Sequence, residues 1–509
     1  MVDRVGNGEL SSHDHLDLHA ERMSESLIRA RFDRRQFLVG GAAVLFLASC
    51  SQRSSPTNYQ LVGAAPASTV RAVSELFALA APFYIAHRGS GDNWPEHTAL
   101  AYSNAAAAGA QAIEISVNAT ADGVLVCHHD KNIRRMTGVD RDIAEMSWSE
   151  LQAQRNDARR WLGPLASLEP IPRLSDVLDD LAAEHVIFIE DKTGRNTTAL
   201  LALMDSYPDA TEHFVWKQWA GAKQHQLARK RGYKTWGYVT SDLALTTEML
   251  DGFDYLGIHH SATDAAISRL VARGKPVIAW EVHRRSMRDR LLKLGVVGMM
   301  CSNIPYVMGS TLPAVTDSFA SGVRAPGDLP WTTDLGWKNQ PQLIPDSGSV
   351  VLAYPTIESY HMGSFAPVDT RDCRISFRLR WPDSTPASSK HAGLSFGLAS
   401  DDPYRVGISS RVSGYHAILR ANGRLDLYER RSGIARGTLL GTVPTPAPAV
   451  GEWVDLVVSI SGARITVSRG GNPAWVVAVD DSRHRGGYFS LCKNYADPIP
   501  VEFSAVRVE

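Results

Sequence analysis

The sequence predicts an α/β protein in two parts, a (β/α)8 barrel followed by an all-β sandwich. Three observations carry this. Eight short apolar runs alternate with helical patterns between Phe83 and about Pro313, the count and span of eight strand–helix units. Helical periodicity then stops, and strict period-two alternation takes over beyond about residue 343. Between the two textures, Ser318 to about Gln342 is rich in Gly, Pro and Ser and reads as a linker.

The expected boundaries are a signal segment over 1–50, a tether over 51–78, the barrel over 79–315, a linker over 316–342 and the sandwich over 343–509. The chain has 509 residues, 44% of them hydrophobic and 21% charged, with a net charge of −1. That is ordinary globular composition without the basic footprint of a nucleic-acid binder. Arg34-Arg35-Gln36-Phe37-Leu38 forms a twin-arginine pattern. The apolar run that follows, Leu38 to Ala48, is too short to span a bilayer. It ends in Leu47-Ala48-Ser49-Cys50, which resembles a bacterial lipoprotein cleavage box. The expectation is export in folded form by the twin-arginine route. Lipidation of Cys50 would then hold the mature protein on the outer side of the cell membrane. His13, Asp14, His15 and His19 fall in this leader and read as solvated. Residues 51–78, rich in Ser, Pro and Ala, read as the tether.

The barrel runs are Tyr84–Ala86, Ala112–Val117, Val186–Ile189, Phe214–Trp216, Thr235–Val239, Tyr255–Ile258, Val277–Trp280 and Val297–Cys301. Helical patterns such as Thr98–Ala108, Ala199–Tyr207, Ala262–Arg273 and Arg285–Leu294 separate them. A hairpin around Gly123–Cys127 is inserted after the second run. In the second part, Cys373–Trp381 alternates strictly, and similar runs occur at 393–398, 415–419, 425–428, 453–460, 464–469, 475–479 and 501–508. Short strands at this spacing imply a β-sandwich. Cys127 and Cys301 read as buried thiols. Cys373 and Cys492 are either a disulfide of an exported protein or two more thiols.

Chemistry in such a barrel belongs at the C-terminal ends of its strands. His87 and Arg88 end the first. Glu114 and Ser116 alternate on the second and share a face. Glu190 and Lys192 end the third, and His129 follows the hairpin. Two histidines suit acid–base work near neutral pH. Two carboxylates suit a hard divalent cation, and Arg88 with Lys192 suits a phosphate. Together they describe metal-assisted cleavage of a phosphodiester.

Residues 83 to about 310 resemble the glycerophosphodiester phosphodiesterase family. The resemblance rests on His87-Arg88-Gly89, on Pro95-Glu96-His97-Thr98 and on Glu114, Val117, Thr120, Asp122, Gly123, Val126, His129 and Asp130 in register. Glu190-x-Lys192, Trp280-Glu281-Val282-His283 and Gly298–Pro305 continue it. It implies that His87 and His129 are the acid–base pair and that Glu114 and Glu190 ligate Ca2+ or Mg2+. Arg88 and Lys192 would hold the phosphate, Glu96 would position the first loop or a histidine, and Trp280 would line the substrate site. Lys217 stands both as a phosphate contact and as a surface lysine. The implied substrates are glycerophosphodiesters, or related lysophospholipid head groups and glycerol-phosphate polymers.

Ser116 departs from the pattern, which has a metal-binding aspartate there. Water completes the metal shell, or another carboxylate such as Asp191 or Glu281 replaces the ligand, or metal and activity are lost. In that last case the chain would be a non-catalytic binder of phosphorylated glycans. His259, His260 and His283 also lie near strand ends; for His259 and His260 a place in the pocket stands against the plainer reading as structural or solvated. The strands from Trp453 to Tyr488 resemble concanavalin-like or laminin-G-like jelly-roll modules. That implies glycan stacking as a role for Trp381, Tyr404, Tyr415, Tyr428 or Trp475, against the plainer reading of core aromatics.

Overall fold

A computed structural model describes residues 68–239, 247–309, 319–324, 341–352, 372–402, 412–494 and 497–509. Cys50, the leader histidines, Tyr404 and most of the second linker lie outside the described residues. Among the described residues, no helix is long and apolar enough to cross a membrane.

All eight predicted barrel runs are strands. They are β1 (Phe83–Ala86) and β2 (Ala112–Ala119), then, after an excursion, β6 (Val186–Asp191), β7 (Phe214–Trp219), β8 (Lys234–Val239), β9 (Tyr255–His259), β10 (Val277–Val282) and β11 (Gly298–Cys301). The excursion holds β3 (Leu125–Cys127), antiparallel to β2, and the pair β4 (Arg155–Asp157) and β5 (Leu168–Pro170). Every barrel pairing is parallel, and β1 pairs with both β11 and β2, so the sheet closes.

Alternation sorts the side chains. On β2, Ile113, Ile115 and Val117 turn outward into a cluster with Leu174, Val177 and Leu178 of the helix Leu174–Leu181. Ala112, Glu114 and Ser116 take the opposite parity and face inward. Phe188 and Val215 stand one inward step before Glu190 and Lys217, and they pack with Phe83, Ile85 and Trp236 in the apolar floor. So the lower layer of the barrel is hydrophobic and the next layer up is charged.

The expected tether ends in structure. Val73–Ala78 is a helix, and Val70, Val73 and Leu76 join the floor cluster. Phe77 stacks on Tyr255 with ring centroids 3.5 Å apart. Composition suggested a tether because Ser, Pro and Ala dominate the stretch as a whole. The four apolar residues that plug the barrel are diluted among them.

The second part is two antiparallel sheets. One joins β12 (Gln342–Ile344), β13 (Ser349–Leu352), β14 (Cys373–Arg380), β19 (Val454–Ser461), β20 (Arg464–Arg469), β21 (Val476–Asp480) and β23 (Val501–Val508). The other joins β15 (His391–Leu398), β16 (Gly414–Arg420), β17 (Leu425–Arg430), β18 (Thr438–Val443) and β22 (Tyr488–Lys493). Strands β12, β13, β18 and β22 were not expected. Cys373 and Cys492 are separate thiols rather than a disulfide; Cys492 is buried, with its sulfur 2.9 Å from His416 Nε2. Trp381 and Tyr415 are core residues, 1% and 0% exposed, which removes them as sugar platforms.

The sandwich is tied to the barrel by a buried carboxylate. Asp401 accepts from the backbone N–H groups of Arg285 and Ser286, and from the Tyr306 hydroxyl, each at 2.8 Å. The first two open the helix Arg285–Lys293, whose N-terminal N–H groups have no partner within the helix. Its N-cap residue, Arg284, makes no side-chain cap, so the sandwich supplies one. Asp401→Ala should lower the unfolding free energy by about 2–4 kcal/mol, because two buried donors and one part-buried donor lose their acceptor. Chemical denaturation checks this; an unchanged midpoint would remove the carboxylate from the account.

Candidate active site

The loop after β1 turns sharply. Arg88, Gly89 and Ser90 have φ of 54°, 77° and 70°. A Cβ on Gly89 would lie 2.8 Å from that of Ala101, so glycine is required twice over. The loop is sewn to the one after β11. Ser90 Oγ donates to the Ser302 carbonyl at 3.0 Å and accepts from the Ile304 N–H at 2.9 Å. This fixes His87, whose Nδ1 is 3.0 Å from Ser302 Oγ.

At the centre of the mouth lies Lys217, 6% exposed; it is no surface lysine. Its ammonium donates to Glu114 Oε1 at 2.9 Å and to Glu190 Oε2. Glu114 Oε1 also accepts from Ser116 Oγ at 3.1 Å, and Oε2 accepts from the Arg88 backbone N–H at 2.9 Å. Glu190 Oε1 accepts from the Tyr238 hydroxyl at 2.7 Å, while Lys192 Nζ lies 3.4 Å from Oε2. Burial opposes both glutamate charges, but the lysines outweigh it. Glu190 is held down to about 2 and Glu114 well below the usual range. Burial likewise opposes the Lys217 charge, and the two carboxylates still raise it.

The resemblance implies a divalent cation on Glu114 and Glu190, and the donor set does not fit one. All four carboxylate oxygens already accept from this chain, and an ammonium stands between the two groups. Ser116 adds a neutral hydroxyl. Neither expected replacement joins them. Asp191 faces outward and accepts from Asn196 N–H at 2.8 Å and Thr197 Oγ1 at 2.9 Å. Glu281 lies with His87, Arg88 and His283, at 3.8, 3.6 and 3.4 Å.

The second histidine is held from below. The Asn118 side chain on β2 donates to the carbonyls of His128 and Asp130, at 2.8 and 3.1 Å. His129, between them, places Nδ1 2.7 Å from Asp130 Oδ1. Burial pushes His87 down to about 4. Burial, reinforced by Arg88 and Lys192, holds His129 well below its ordinary range. Both are neutral near pH 7.

Glu96, expected to position the first loop or a histidine, is a buried bridge. It accepts from Arg88 at 3.2 Å and from Arg135 at 2.5 Å. Arg135 reaches Asp130 at 2.6 Å. Trp280 is half-buried against His259 and Tyr238, with centroids at 4.7 and 5.6 Å. His283, expected only to lie near a strand end, belongs to the mouth, with Nδ1 2.7 Å from Asp92 Oδ2.

Sequence reasoning missed Arg135, Asn118, Asp92 and Tyr238. Asn118 and Tyr238 carried a signal, the inward parity shared with Glu114 and Ser116 on β2 and with Trp236 on β8.

Burial opposes the His283 charge, but Asp92 and Glu281 raise its pKa well above 6.5. A raised folded value stabilises fully below the unfolded pKa and is lost as pH rises through the folded one. His283→Ala should therefore lower stability by about 2–3 kcal/mol on the acid side of neutrality, leaving buried Asp92 unpartnered. The deficit should shrink toward alkaline pH. Unfolding curves across pH test this, and a pH-independent deficit contradicts it.

Comparison with known proteins adds the family. Residues 87–304 match the model of the glycerophosphoryl diester phosphodiesterase family. A glycerophosphodiester phosphodiesterase of Arabidopsis thaliana is 38% identical over 95 residues, 19% of this chain and 24% of its own. One from Bacillus altitudinis is 29% identical over 129 residues, 25% of this chain and 52% of its own. These matches thus span about a quarter to a half of the relatives' lengths. A solved Oleispira antarctica phosphodiesterase in complex with the product sn-glycerol-3-phosphate is 21% identical. That alignment covers 44% of this chain and 93% of the other, with a TM-score of 0.39. Residues 87–304 of this chain are a domain of the glycerophosphoryl diester phosphodiesterase family.

Proposed function

We propose that the barrel hydrolyses glycerophosphodiesters. The observation that carries this is one mouth holding two neutral histidines beside Arg88, Lys192 and Lys217, within the segment that matches the family. A phosphodiester anion suits three largely buried cations. Its negative charge also opposes the burial that keeps the histidines neutral, and so draws a proton onto one of them. Binding then creates an acid and a base together.

The neutral histidine takes the proton of a substrate hydroxyl, whose oxygen forms a bond to phosphorus. The P–O bond to the leaving alcohol breaks, and the protonated histidine gives its proton to that oxygen. Water opens the resulting cyclic phosphate by the reverse transfers. The side chains of Ser302 and Asp130 fix the two rings at Nδ1, which leaves Nε2 for these transfers.

The leader supports a location outside the cell membrane, held by a lipid on Cys50. There, lysophospholipid head groups and glycerol-phosphate polymers are within reach as substrates. A role for the sandwich in binding glycans rests on its resemblance alone.

Glycerophosphocholine turnover tests the proposal. His87→Ala and His129→Ala should each lower kcat/KM by about a hundredfold to ten-thousandfold while leaving the melting temperature near that of the wild type. Absence of turnover by the folded wild-type protein, with glycerophosphodiesters still bound, would favour the non-catalytic binder.

A further inference from the structure

We propose that Lys217 is a resident cation, an ammonium that takes the position of a divalent ion and makes this mouth independent of metal. The proposal rests on the phosphodiesterase reading for its chemistry, but its own observation is the filled carboxylate pair. Lys217 donates to both Glu114 and Glu190, the two residues that the family resemblance gives to metal. Its ammonium lies 5.9 Å from the centroid of the Trp236 ring and 5.3 Å from that of Tyr238. Aromatic faces at that range stabilise an organic cation and are poor ligands for calcium or magnesium.

Charge balance explains Ser116. Glu114 and Glu190 supply two negative charges, and Lys217 with Lys192 supplies two positive ones. The buried set is neutral. An aspartate at 116 would leave it negative, and an added divalent ion would leave it strongly positive, each at the price of an uncompensated buried charge. A serine hydroxyl instead donates to Glu114 at 3.1 Å and adds no charge. Ser116 and Lys217 are therefore a matched pair, and the missing aspartate is what a lysine in the metal position requires. An ammonium has three N–H donors. Two are given to the glutamates, and the third is available to a phosphoryl oxygen.

The test uses the intact chain and two readouts. Calorimetric titration with Ca2+ and with Mg2+ should show no binding to the wild type. Glycerophosphocholine turnover should be unchanged by EDTA and by added Ca2+ or Mg2+. Lys217→Met should lower turnover by roughly a hundredfold or more. Ser116→Asp combined with Lys217→Ala should gain binding of one Ca2+ per chain, seen by calorimetry and as a rise in melting temperature. Wild-type binding of Ca2+ or Mg2+, or EDTA-sensitive turnover restored by either ion, would overturn the proposal. So would a folded double variant that binds neither ion. If the wild type turns over no glycerophosphodiester, the phosphodiesterase reading fails, yet the titrations still decide whether Lys217 occupies a cation site.

Discussion

Two glutamates on neighbouring barrel strands share one lysine ammonium in a buried layer. Removing four charges from solvent is expensive unless each finds a partner. Here Glu114, Glu190, Lys217 and Lys192 do so among themselves, with Ser116, Tyr238 and the Arg88 backbone N–H taking the remaining carboxylate positions. The rim depends on this knot. It joins β2, β6, β7 and β8 by side chains and fixes the start of the loop after β1. That loop cannot relax on its own, because Gly89 is packed against Ala101. The geometry of His87 is thus set by an ion cluster it does not belong to.

A second network connects the histidines. From Asp92 it runs through His283 and Glu281 to Arg88, and then through Glu96 and Arg135 to Asp130 and His129. The charges alternate from Asp92 to Asp130, so each group lowers the cost of burying the next. Arg88 is the crossing point. One guanidinium nitrogen faces Glu96 and another faces Glu281, while its backbone N–H holds Glu114. A phosphate that engages Arg88 must compete with both carboxylates. Binding at this residue therefore perturbs both histidine environments together, as a two-proton reaction needs.

The sequence carried the strands well, since alternation is a local property. Ile113, Ile115 and Val117 on one face leave Glu114 and Ser116 on the other, and no tertiary knowledge is needed to see it. Lys217 shows where that reasoning stops. It shares parity with Val215, which was legible, but its burial depends on closure of the barrel around it. Lys217 and Glu114 are 103 residues apart and lie on strands that do not pair. Arg135 and Asp92 were hidden for the same reason. Each acquires meaning only from a partner on another loop. The strand β18 was missed because Thr438–Val443 is largely exposed on both faces. The helix Val73–Ala78 was missed because its apolar residues pack beneath the barrel and not against sequence neighbours.

The sandwich is part of the same mechanical unit. Its core aromatics Trp381 and Tyr415 are spent on packing, and Trp475 has Arg469 over its ring. Its Asp401 caps the helix that follows β10, and β10 leads into Glu281 and His283. The barrel helix begins two residues after His283, so the cap and the imidazolium hold opposite ends of one short turn. A carboxylate that neutralises a helix N-terminus also fixes where that helix starts. The sandwich thereby supplies, through Asp401, the cap of the helix that follows the Glu281–His283 wall of the mouth.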